Sequence, residues 1–72
     1  MEEKFYLKFG HVIREIRRSK EISQEYMASK LHISQNVYSK IENGKCKCTM
    51  YRFLGIMELL SIDPADILSH FI

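Results

Sequence analysis

From Met1 to Ile62 this chain contains no proline, and over much of that length its apolar residues return at steps of three and four. Phe5, Phe9, Val12, Ile13 and Ile16 form one such series, which lines a single face of an α-helix and no single face of a strand. The spacing predicts a first helix from about Lys4 to Lys20. Ser23 then offers its hydroxyl to the orphan amides of a second, short helix. Tyr26, Met27, Ala28 and Leu31 give that helix its apolar positions, small Ala28 allows close approach, and the helix ends near Lys30 or Leu31.

After the turn Leu31-His32-Ile33, Ser34 is the next N-cap and Gln35 to Glu42 the third helix, with Tyr38 and Ile41 pointing inward. Asn43-Gly44 stops it, because glycine tolerates the left-handed conformation that closes a helix. Lys45 to Cys48 reads as a loop. Thr49 caps a fourth helix carrying Met50, Phe53, Ile56, Met57 and Leu60. Asp63-Pro64 places a cap before a proline at the first helical position and opens a fifth helix running to about His70. No strand signal, internal repeat or low-complexity stretch interrupts this series. The expected fold class is all-α, a compact five-helix bundle, with residues 1–72 as one domain because 72 residues support a single modest core.

Composition narrows the function classes. Apolar residues make up 46% of the chain and charged residues 28%, a balance that is neither disordered nor membrane-embedded. No apolar run approaches the ~18 residues of a membrane span, and Met1 to Lys4 lacks the basic-then-apolar layout of a secretion signal. Cys46 and Cys48 are one residue apart, unlike the spread cysteines of a small secreted domain, so a cytoplasmic protein with reduced thiols is expected. His11, His32 and His70 are scattered, and no nucleophile, base and orienting group fall together, which argues against an enzyme. Cys46-Lys47-Cys48 supplies two soft ligands where a closed site needs four, so no metal and no cofactor is expected, with Cys48 in the core and Cys46 exposed.

The net charge of +2 is small, but its distribution is informative. Arg14, Arg17, Arg18 and Lys20 form one basic cluster and Lys40, Lys45, Lys47 and Arg52 another, whereas Glu58, Asp63 and Asp66 leave the end of the chain acidic. Clusters sharing one face would make a surface suited to phosphates. On the third helix, Gln35, Asn36, Ser39 and Lys40 lie on the side away from Tyr38 and Ile41. Glutamine and asparagine can bond adenine in two places and lysine can donate to guanine, so these are suitable side chains for reading a major groove.

The stretch Ile22-Ser23-Gln24-Glu25-Tyr26-Met27-Ala28, then Leu31-His32-Ile33-Ser34-Gln35, then Tyr38-Ser39-Lys40-Ile41-Glu42-Asn43-Gly44-Lys45 resembles the Cro and phage-repressor type of helix-turn-helix, also called the xenobiotic-response-element family. The likeness covers about Phe9 to Leu68, with the helix-turn-helix itself at about 23–43. It implies a lambda-repressor-like bundle and a sequence-specific regulator of transcription that binds double-stranded DNA, a repressor working as a homodimer on a palindromic operator. Matching positions imply base contacts by Gln35, Asn36 and Lys40, with Ser39 and Val37 at the margin. They imply phosphate contacts by Gln24, Ser34, Asn43, Lys45 and Lys47, and a structural ion pair between Arg17 and Glu42. The sequence departs from the family at His32 and Glu21, where glycine is usual.

If the third helix enters DNA, a dimer seam must lie elsewhere, and the acidic, apolar end offers Ile67, Leu68, Phe71 and Ile72. Phe5, Tyr6 and Phe9 either cover that end or join the seam. The rival from another class is a protein-interaction module such as an antitoxin, whose termini would hold a protein partner.

Overall fold

The computed structural model describes residues 2–69. Five helices follow in order: α1 (Glu2–Ser19), α2 (Gln24–Leu31), α3 (Gln35–Glu42), α4 (Met50–Leu59) and α5 (Pro64–Leu68), with no strand among the described residues. The fold is therefore the all-α bundle expected. Helix α1 begins two residues before Lys4 and stops one short of Lys20, and α5 ends at Leu68. His70, the expected end of α5, lies outside the described residues.

The starts follow from local chemistry. Ser23, Ser34, Thr49 and Asp63 each turn a side-chain oxygen to an amide of the first turn, accepting from Tyr26, Val37, Arg52 and Ala65. The stops share one device. After α1, α2, α3 and α4 comes a residue of positive φ, respectively Glu21, His32, Gly44 and Ser61. At each, its own amide and the next fold back, the next being Ile22 donating to the Arg17 carbonyl, Ile33 to Ala28, Lys45 to Lys40 and Ile62 to Met57. These are the bonds of the Schellman closure, which satisfies carbonyls that the helix leaves open. Only one of the four positions is glycine.

Phe9 and Ile13 of α1, Met27 and Ala28 of α2, Tyr38 and Ile41 of α3, Ile56 and Met57 of α4, Leu60 and Ile67 are buried together as the core. Met50, at the first position of α4, is 70% exposed. One expectation needs correcting here. Cys46 is half-buried and packs with Cys48 against the core instead of standing exposed.

Helix α1 crosses the C-terminal end of α3 without side-chain spacing. A Cβ on Gly10 would overlap the Glu42 carbonyl oxygen and lie 2.7 Å from the Ile41 oxygen, and one on Gly44 would lie 2.8 Å from the Leu7 Cα. Both glycines are therefore required by contact, Gly44 by its φ of 70° as well.

Candidate nucleic-acid interface

The two faces of α3 are sharply different. Tyr38, Ile41 and Glu42 are buried, while Gln35, Asn36 and Lys40 are exposed and Val37 and Ser39 half-buried between them. The exposed residues fall at steps of one, four and five, which keeps them on one side of the helix. They can be presented to a groove without disturbing the core. Ser34 holds the helix start by accepting from the Val37 amide at 3.1 Å, and its own hydroxyl proton remains able to donate outward.

Beneath this surface lies one carboxylate. Glu42 is 2% exposed, and its Oε2 accepts from Arg17 Nε at 2.6 Å while Oε1 accepts from Arg17 Nη2 at 3.1 Å. Such a two-point pairing fixes both planes relative to each other. Arg17 spends its remaining end, Nη1, on the Ile22 carbonyl at 2.7 Å, tying α1 to the start of α2. Gln24 Nε2 also donates to Glu42 Oε1, at 3.0 Å. Three helices thus meet on one side chain. Burial alone would push the Glu42 carboxyl up, but the hydrogen bonds from Arg17 and Gln24 outweigh it and hold the group below the ordinary glutamate range. The Arg17 guanidinium is held more firmly protonated, chiefly by its bond to Glu42. The Tyr38 hydroxyl is buried beside this pair without a hydrogen bond of good geometry, and burial followed by the Glu42 charge drives its titration upward.

This geometry corrects one part of the sequence reading. Arg17 belongs to the interior, 7% exposed, and does not contribute to a basic surface, whereas Arg18 and Lys20 remain exposed. Gln24 is half-buried, and after bonding Glu42 with one amide hydrogen it retains the second. Asn43, Lys45 and Lys47 are exposed after α3. The sequence places Arg14 only in a basic cluster, yet its Nη2 donates to Asn43 Oδ1 at 2.5 Å. Its position three residues before Arg17, on the same face of α1, is the signal that pointed to α3.

In α5, Ile67 is 1% exposed and part of the core, so its area is already used within the chain and it cannot serve a seam. Leu68 is 51% exposed and Phe5 42%. With Tyr6, Met50 and Pro64 they line an open apolar groove of about 360 Å³. Phe71 and Ile72, also expected there, lie outside the described residues. Cys48, at the groove's edge, has its thiol pushed up to about 11, first by burial, so it is a poor thiolate at neutral pH. Among the described residues no helix is long and apolar enough to cross a membrane.

A family profile described as helix-turn-helix matches residues 13–67. The control protein C.MunI of Mycoplasma sp is 30% identical over 64 residues, which span 88% of this chain and 86% of that relative.

Proposed function

We propose a function from one premise: the chain belongs to the helix-turn-helix family, of the Cro and phage-repressor type, and is a DNA-binding regulator of transcription. It represses by occupying a palindromic operator as a homodimer, with one α3 in each of two successive major grooves. The observation that carries this reading is the division of α3 into a buried face locked by Glu42 and an exposed face of Gln35, Asn36 and Lys40.

In this account Gln35, Asn36 and Lys40 bond base edges, with Ser39 and Val37 shaping the margin. Gln24, Ser34, Asn43, Lys45 and Lys47 take phosphates and set the register. Gln24 is well suited to this, since its bond to Glu42 aims the amide before DNA arrives. Two copies meet at the apolar groove beside Leu68 and Phe5, because like-charged α3 surroundings would repel each other. Half-sites then lie about one helical turn, roughly 34 Å, apart. The name of the control-protein relative supports a regulatory role here.

Duplexes selected from a random pool by the full chain test this reading. Recovered sites should be two-fold symmetric, and affinity should fall steeply with salt as counterions leave the phosphates. A recovered pool without symmetry would remove the dimeric operator, and binding indifferent to salt would remove groove binding itself.

A further inference from the structure

Arg14 reaches the C-terminal end of α3 from α1 and makes two contacts there. Its Nη2 is 2.5 Å from Asn43 Oδ1 and its Nε 3.6 Å from Glu42 Oε1, with the side chain 29% exposed. Asn43 is fixed in turn: its backbone amide donates to the Ser39 carbonyl at 3.0 Å, and its Nδ2 points to Ser39 Oγ at 3.5 Å. A side-chain amide is ambivalent, with an acceptor on one branch and two donors on the other. A guanidinium has donors only, so the branch facing Arg14 must be the oxygen. The NH2 group is consequently turned toward Ser39 and the polar face of α3.

We propose that Arg14 is a positioning residue for DNA binding, which holds the Asn43 amide with its donors toward the nucleic acid. Phosphate oxygens only accept, so an amide free to rotate would spend part of its time offering the wrong atom. Arg14 removes that alternative, and its ion pair with Glu42 keeps it anchored while Asn43 engages. The proposal rests on the reading of Asn43 as a phosphate contact. Arg14 acts through Asn43, without a phosphate of its own.

The test uses the full chain, a duplex recovered with the parent protein, and the variants Arg14→Gln, Arg14→Lys and Asn43→Ala. Asn43→Ala should weaken binding about tenfold, the scale of one hydrogen bond to a charged group. Arg14→Gln, whose own amide can donate or accept, should weaken binding to a similar degree at every sequence. Arg14→Lys, again a donor only, should restore it. In the Asn43→Ala background, Arg14→Gln should cost nothing more. The slope of affinity against salt should stay unchanged in Arg14→Gln, whereas a lost direct phosphate contact lowers it by about 0.9. The nitrogen-correlated signals of the Asn43 NH2 group in the free protein should shift in Arg14→Gln and hold in Arg14→Lys, a readout that loss of fold stability alone would not produce. Additive losses, or a slope reduced by one contact, would overturn the proposal while leaving Asn43 as a phosphate ligand. Unchanged affinity in Asn43→Ala would overturn the underlying reading as well.

Discussion

Gly10 and Glu42 touch through their backbones, with no room between them for a methyl group on Gly10. The contact places α1 directly on the last turn of α3, and from there Arg17 and Arg14 of α1 reach Glu42 and Asn43. One close approach thus sets both the buried pair and the surface at the end of the reading helix.

Gly10→Ala isolates this contact. In an ordinary helix interior the change is favourable by roughly 0.5–1 kcal/mol, because alanine has less freedom to lose. Here the obstacle is a carbonyl, which cannot swing aside as a side-chain tip can, so the net effect should be a loss of about 3 kcal/mol, the upper end for overpacking. Urea unfolding of the variant beside the parent measures it, and a gain in stability would mean that the helices stand further apart.

Glu42→Ala should be costlier than a surface substitution. With the carboxylate gone, Arg17 is a charge left without its partner in the interior, an arrangement that costs about 3–5 kcal/mol. Calorimetric melting decides the point, and an unchanged melting temperature would deny the pair its burial.

The same carboxylate predicts a pH response. Its folded-state pKa is depressed below the unfolded value near ~4.3, so its contribution is complete above that value and disappears as pH falls through the lower, folded one. Stability should therefore decline on acidification below about pH 5, as the unfolded chain begins to take up the proton first. Glu42→Gln should flatten that part of the profile. Equilibrium unfolding from neutral to acid pH would show equal slopes if Glu42 were unperturbed.

His32→Gly should stabilise the chain. His32 has φ 58°, a region that costs an ordinary residue about 1–2 kcal/mol and glycine little, while the greater freedom of unfolded glycine returns about 0.4–1 kcal/mol of this. A net gain of roughly 0.5–1 kcal/mol follows from these ranges. Thermal denaturation reads the gain, and a lower midpoint would show that the His32 side chain contributes contacts outweighing its strain.

Much of this was legible in the sequence, for reasons that can be named. The bounds of α3 follow from Ser34 before it and Gly44 after it, and its inner face from Tyr38 and Ile41. The strained turns at Glu21 and His32 are legible because the family resemblance places glycine there. Ser61 is not, since a serine between Leu60 and Ile62 carries no such signal, although its φ of 56° repeats the same closure. Gly10 was invisible for a different reason: a glycine inside a helical stripe does not declare which backbone approaches it. Burial at the acidic end was equally obscure, because period alone does not separate Ile67, in the core, from Leu68, on the surface.

The measurement that bears most directly on α3 as the reading head is a base-preference matrix for Lys40→Ala, Gln35→Ala and Gln24→Ala, each taken with the same random duplex pool. The first two should relax preference at particular base pairs by about 1–3 kcal/mol apiece, while Gln24→Ala weakens all sequences alike and leaves the matrix in shape. Uniform weakening by all three, with the parent's preferences intact in every variant, would contradict the account and place sequence reading outside α3.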